Sequence, residues 1–241
     1  MIPKIIHYCW FGGKVIPKEY QRCILSWKKY LSDYEIKRWD ESNFDVNQIP
    51  FTKEAYSVGK FAYVSDYARL KIIYEEGGIY FDTDVEVIKS FDDILSKGAF
   101  MGFEKNSNIK KDEMLNVNVG LGFAVEPHHP IIKEILHFYE SHHYIYPDGH
   151  REQITIVKIV TEILKKHGLS NSDTPQTVEG ITIYPWDYFC PIEFLSSKLE
   201  ISDSTHTIHH YSASWMSRYD KMKMKKGYYA NKVRKILGFI K

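Results

Sequence analysis

The chain has 241 residues, 44% of them apolar and 26% charged. That is enough to bury a full core, and it excludes a disordered or fibrous chain. Its net charge is only +1, so no global bias toward nucleic acid exists. Charge is uneven, however. Positions 217–241 hold nine Lys and Arg against the single acid Asp220, a surplus of +8, which leaves −7 on the first 216 residues. A basic tail on an acidic body predicts an anionic surface as a partner.

Taken in chain order, "KIIHYCWF" is a short apolar run closed by Gly12-Gly13 and reads as a buried strand followed by a turn. Pro17 can open a helix, on which Tyr20, Ile24, Trp27 and Leu31 share one face. "YEIKRWD" is a second strand. Phe61 to Glu76 is a helix with Gly77 as its C-terminal cap. The strand "IYF" follows, then "DTD", then a short strand "VEVIK". "AFMGFE" and "NVGLGFAV" read as strands, Pro130–Ser141 and Glu152–His167 as helices, and "ITIYP" and "THTIHHY" as late strands. Strands alternating with helices predict an α/β sandwich with a mostly parallel sheet. No linker or repeat interrupts it, so one domain is expected over 1–216, with a basic amphipathic C-terminal helix over 217–241.

Cys9, Cys23 and Cys190 are an odd set at unrelated spacings. They fit neither a disulfide framework nor a zinc site and point to a reducing, cytoplasmic setting. No apolar run approaches the ~20 residues of a membrane span, and "MIPKIIHYCWFGG" lacks the pattern of a signal peptide.

In open α/β sheets, ligands bind beyond the carboxyl ends of strands. "DTD" sits at such an end. Its two carboxylates, Asp82 and Asp84, would raise one another's pKa, and a divalent cation removes that penalty. Mg²⁺ or Mn²⁺ takes oxygen ligands, with substrate phosphates completing the shell. On its own, the triplet more often marks a solvated turn. Asp66 and Arg69, three apart on the preceding helix, share a face. They can grip phosphate there, or form an ordinary surface ion pair.

Three stretches taken together are more specific: "IPKIIHYCWFGG", then "SDYARLKIIYEEGGIYFDTDVEVIKSFDDIL", then "HHYSASW". Over about Ile2 to Trp215, and most strongly over Phe61 to Val87, this set resembles the glycosyltransferases with the DXD sugar-binding region. That group includes capsular polysaccharide transferases, initiating α-mannosyltransferases and, distantly, clostridial glucosylating toxins. The resemblance implies a single-domain GT-A fold, a Rossmann-like α/β/α sandwich. It implies that Trp10 stacks on the nucleotide base, and that Asp66 and Arg69 contact the nucleotide sugar. Asp82 would touch the ribose and the outer shell of the metal, and Asp84 would bind the metal directly. His210 fits the late metal position best, with His209 as the alternative; alternation along a strand lets only one of them face the site. Trp215 would close over the diphosphate, with Ser214 or Ser212 donating to it. Asn118, preferred over Asn116, would take the asparagine position near the donor hexose or the acceptor.

The activity so implied is a metal-dependent, retaining transfer of a hexose from a nucleotide sugar to a glycan, in capsular or surface polysaccharide synthesis, with UDP-hexose preferred over GDP-mannose. Asp82, Asp84 and Asn118 form the expected catalytic set, with Mn²⁺ or Mg²⁺ as cofactor. A lipid-linked acceptor would bring the basic tail to the inner face of the plasma membrane. Two other readings remain. "YFDTDVEV" also resembles the D-x-D strand end of haloacid-dehalogenase-type phosphatases, although Glu86 stands at the fifth position of that motif. A non-catalytic carbohydrate-binding protein would use the aromatics alone. Pro185, Trp186 and Tyr188 could line a sugar platform or pack in the core. His128 and His129 read as a helix-start loop, and Glu75-Glu76 and Asp92-Asp93 as solvated faces.

Overall fold

The structure is a computed structural model. It describes residues 1–105, 115–193 and 198–212, together with positions 219, 222, 223 and 226. Trp215, Ser214 and most of the expected C-terminal helix lie outside the described residues.

A seven-stranded sheet forms the centre. Its strands are β1 (Ile5–Cys9), β2 (Glu35–Trp39), β3 (Gly78–Tyr80), β5 (Phe100–Gly102), β6 (Phe123–Val125), β7 (Gln176–Val178) and β8 (Ile181–Tyr184). Their spatial order is β2-β1-β3-β6-β5-β8-β7. β1, β2, β3, β5 and β8 run one way, while β6 and β7 run the other. The sheet is therefore mostly parallel, as the alternation of elements predicts, with an antiparallel strand inserted at its middle. "NVGLGFAV" is only half strand: Val119–Leu121 form a 3₁₀ turn before β6 begins.

Helices cover both faces. On one side lie α2 (Pro50–Ser57), α3 (Phe61–Glu76), α5 (Pro130–Glu140) and α6 (Ile156–Lys166), whose apolar residues share one core. The sequence reading missed α2, which is only two turns long and is opened by Pro50. On the other side lie α1 (Lys18–Tyr30), α4 (Asp92–Leu95) and α7 (Trp186–Phe189), around Trp27, Phe91 and Phe189. α3 buries Val64, Tyr67, Leu70 and Ile73 along with Ala68, Arg69 and Ile72. A helix buried on so many sides carries a near-continuous apolar sequence. Gly77 ends it at φ 65°, where a β-carbon would lie 2.7 Å from the Pro127 ring. Glycine is needed there for the turn and for the close approach.

β4 (Val85–Val87) does not join the main sheet. It pairs antiparallel with β9 (Thr207–His209) in a separate ribbon. α1 holds this ribbon in place. The fully buried Trp27 donates its indole N–H to the Val85 carbonyl at 2.8 Å, and the Ser26 hydroxyl accepts the Val87 N–H at 2.9 Å. The helix predicted from Tyr20, Ile24, Trp27 and Leu31 thus has a specific task, which is to carry the strand that follows "DTD".

Candidate active site

Because β1, β3, β5 and β8 point the same way, their carboxyl ends share one edge of the sheet. Trp10 follows β1, Asp82 follows β3, Glu104 follows β5 and Trp186 follows β8. Antiparallel β6 begins at that edge, which brings Asn118 there as well. The site is assembled by strand direction.

Asp82 and Asp84 lie in the turn between β3 and β4. Register sets what faces them: His209 pairs with Val85, and the His210 N–H bonds to the Asp84 carbonyl at 3.0 Å. His209 therefore turns inward, with Nε2 3.3 Å from Asp84 Oδ1 and 3.9 Å from Asp82 Oδ2. His210 turns outward and pairs with Glu86 at 2.9 Å. Strand alternation holds, but it selects His209 in place of His210. One potential donor atom from each of Asp82, Asp84 and His209 lies within 4.8 Å of the others.

Arg69 anchors the carboxylates from behind. It is 5% exposed, and its guanidinium lies 3.1 Å from Asp66 and 3.2 Å from Asp82. Its Nε donates to the Ser65 carbonyl, and its guanidinium carbon lies 4.9 Å from the Tyr80 ring centre. The Tyr80 hydroxyl donates to Asp82 Oδ1 at 3.2 Å. The Asp66–Arg69 pair is thus no surface i,i+3 pair but a buried bracket for Asp82.

Electrostatics separates the two motif acids. Burial raises Asp82 above the usual carboxylate range, and the charge of Asp84 adds to this while Arg69 opposes it. For Asp84, burial also pushes upward, but the His209 charge and hydrogen bond and the Ser212 N–H at 2.8 Å hold it well below that range. Burial disfavours the His209 cation, yet the neighbouring carboxylates outweigh it and raise its pKa. The other ring nitrogen of His209, Nδ1, is buried with no hydrogen-bond partner.

The donor set fits a divalent cation. Among the described residues, Asp66, Asp82 and Asp84 share only the Arg69 guanidinium and the His209 imidazole as ion-pair partners, and carboxylate oxygen with imidazole nitrogen suits Mn²⁺ or Mg²⁺. This is a possible metal site built from Asp82, Asp84 and His209.

Gly120 closes the back of the site. A β-carbon there would lie 2.4 Å from Asp82 Oδ2 and 3.0 Å from Asn118 Oδ1. Asn118 Oδ1 accepts the Gly120 N–H at 2.8 Å, and its amide donates to Glu104 Oε2 at 3.1 Å. Asn116 donates to Glu104 Oε1 at 3.2 Å. Both candidate asparagines therefore converge on Glu104, a residue the motif reading passed over. The signal was present: Glu104 ends the apolar strand "AFMGFE" just as Asp82 ends "IYF".

Trp10 stands at the other side, its indole N–H donating to the Lys14 carbonyl at 2.6 Å and its ring packed edge-on against Tyr20. Tyr20 bonds Ser212, whose N–H reaches Asp84, so Trp10 is linked to the carboxylate cluster through two residues. Trp186 carries the Lys105 ammonium 4.0 Å from its ring centre. Tyr188 packs inward against Tyr184 and His206. His129 caps α5, as a helix-start residue should. Asp93 is more than a solvated acid, since it bonds the fully buried His206 at 2.9 Å.

Residues 17–101 match the model of the glycosyltransferase sugar-binding region containing the DXD motif. It is 33% identical over 141 residues to uncharacterized glycosyltransferase L373 of Acanthamoeba polyphaga mimivirus, covering 56% of this chain and 54% of that protein. It is 27% identical over 147 residues to inositol phosphoceramide mannosyltransferase 1 of Schizosaccharomyces pombe, covering 56% of this chain and 42% of that protein. The chain thus spans about half the length of these curated relatives. A glycosyltransferase involved in the glycosylation of the major capsid of PBCV-1 superposes with a TM-score of 0.52 at 12% identity, covering 93% of this chain and 100% of that one. The architecture is that of the GT-A glycosyltransferases.

Proposed function

We propose that this chain, whose residues 17–101 match the model of the DXD sugar-binding region, is a metal-dependent glycosyltransferase. It moves a hexose from a nucleoside diphosphate sugar to a hydroxyl of a glycan. The observation that carries this reading is the convergence of Asp82, Asp84 and His209 within 4.8 Å, at the carboxyl edge of the sheet.

Mn²⁺ or Mg²⁺ held by Asp84, His209 and Asp82 would supply neutralisation of the charge that develops on the departing diphosphate. The chain's own residues do the rest. Arg69 fixes Asp82, and the Ser212 N–H fixes Asp84. Trp10 offers a ring for the base, and Asn118 borders the space for the hexose. Among the described residues no side chain stands out as a covalent nucleophile, which favours retention by front-face displacement, with the leaving phosphate drawing the proton from the acceptor hydroxyl. The phosphatase reading needs Asp82 as a free nucleophile. Its Oδ1 already takes the Tyr80 hydroxyl and the Arg69 guanidinium, and its Oδ2 takes a second guanidinium contact.

UDP-hexose is the preferred donor, and the mannosyltransferase relative makes GDP-mannose the second to test. A role in surface polysaccharide synthesis, and a lipid-linked acceptor reached through the basic tail in the cytoplasm, complete the reading. No helix among the described residues is long and apolar enough to cross a membrane.

The test is calorimetric titration of UDP and GDP with and without Mn²⁺, on the wild type and on Asp84→Ala. Binding that needs Mn²⁺ and disappears in the variant, with its melting temperature retained, is the expected result. Equal binding by both proteins, or none by the wild type, would overturn the reading.

A further inference from the structure

Glu104 is a carboxylate that the metal cluster does not use. Each of its oxygens accepts one amide N–H, from Asn116 at 3.2 Å and Asn118 at 3.1 Å. Among the described residues no cation lies within ion-pair distance of it. Burial raises its pKa, and the two asparagines oppose that shift. A carboxylate offers about four acceptor positions, so roughly half of them are unused here. Glu104 is half-buried, and a carboxylate shielded in this way is normally completed by a cation or by further hydrogen-bond donors.

Its place says what that partner is. Asn118 is a two-ended bracket. Its carbonyl takes the Gly120 N–H, directly behind Asp82, and its amide holds Glu104. Glu104 therefore stands one asparagine away from the carboxylates that would face the diphosphate. It lies at the end of β5, between them and the Trp186 side of the sheet edge. The group that extends there from a nucleoside diphosphate is the sugar, whose hydroxyls are hydrogen-bond donors.

We infer that Glu104 is a specificity-determining residue, accepting a hydroxyl hydrogen bond from the transferred hexose in a position held open by Asn116 and Asn118. This rests on the donor site proposed above. Hydroxyl orientation is what separates one hexose from another, and a fixed acceptor that cannot donate selects for it. A donor with the wrong stereochemistry leaves the Glu104 carboxylate desolvated and under-bonded.

The test measures, in Mn²⁺, the affinities of UDP, GDP, UDP-glucose, UDP-galactose, UDP-N-acetylglucosamine and GDP-mannose for the wild type, Glu104→Gln and Glu104→Asp. The wild type is expected to distinguish one nucleotide sugar from the rest. Both variants should bind the bare nucleoside diphosphate within about twofold of the wild type, yet lose about 10- to 100-fold for the preferred nucleotide sugar, the range of one charged hydrogen bond. Variants that keep the hexose preference overturn the assignment while leaving the donor site intact. Variants that lose bare nucleotide and melting temperature together make Glu104 a structural group, which also overturns it. If the wild type binds neither UDP nor GDP, the donor site itself falls, and the Glu104 assignment falls with it.

Discussion

His209 Nε2 sits 3.3 Å from Asp84 Oδ1, although the two residues come from distant parts of the chain. The pairing of β4 with β9 makes the contact, and it turns the adjacent His210 to the opposite face, against Glu86. The two histidines can therefore be told apart by experiment. His209→Ala should lower Mn²⁺-dependent nucleotide affinity by at least the ~10- to 100-fold that losing even an outer-shell partner costs. His210→Ala removes only an exposed pair and should change it by less than about twofold. Calorimetric titration of both variants with UDP and Mn²⁺ checks this, and a larger loss in His210→Ala would reverse the assignment.

Arg69 is buried between Asp66 and Asp82, so its charge holds two carboxylates at once. Removing one partner of a buried ionic cluster leaves uncompensated charge, and Arg69→Ala should cost about 3–5 kcal/mol of stability. Arg69→Lys keeps the charge but cannot bond both acids with a planar fork, so it should fall in between. Urea unfolding of the three proteins gives the comparison. Equal midpoints for Arg69→Ala and the wild type would show that the cluster does not hold the helix to the strand.

Gly120 is required by close approach. A methyl group there meets Asp82 Oδ2 at 2.4 Å, and Asp82 cannot retreat without leaving Arg69. Gly120→Ala should destabilise the fold by about 1–3 kcal/mol, as overpacking does. It should also weaken Mn²⁺-dependent nucleotide binding, because the carboxylate moves. A melting curve and a UDP titration test both halves. A folded variant with full affinity would mean that Asp82 takes no part in the cluster.

Much of this site was legible because its residues mark strand and helix ends. Asp82, Asp84, Asp66 and Arg69 fall within one continuous stretch of helix, turn and strand, where spacing alone places them. The choice between His209 and His210 was not legible, since it depends on the register between strands far apart in sequence. The place of Glu104 at a strand end was legible, but its role was hidden for a related reason. Its meaning comes from β6 running antiparallel between β3 and β5, which brings Asn118 to the same edge. A one-dimensional reading that expects parallel neighbours has no cause to join "FMGFE" to "NVNVG". α2, at eight residues, was too short to establish a period.

His7 offers a test of the sheet itself. It lies in β1 with no exposed surface, its Nδ1 accepting the Trp39 indole N–H at 3.0 Å and its Nε2 donating to the Gly77 carbonyl at 3.1 Å. That arrangement ties β1 to β2 and to the end of α3, and it requires the neutral ring. Burial is the main cause that lowers its pKa from 6.5 to about 4. The unfolded chain therefore binds a proton near pH 6.5 that the folded chain refuses until about pH 4. The contribution is complete above pH 6.5 and is lost as the pH falls toward 4, amounting to roughly 3 kcal/mol. His7→Gln keeps a donor and an acceptor but cannot take up the proton. Chemical unfolding at intervals across this range should give the variant a shallower fall in stability than the wild type, by up to ~1.4 kcal/mol per pH unit. Parallel slopes would show that His7 is already protonated in the folded protein, and that the Gly77 carbonyl and Glu76 outweigh its burial.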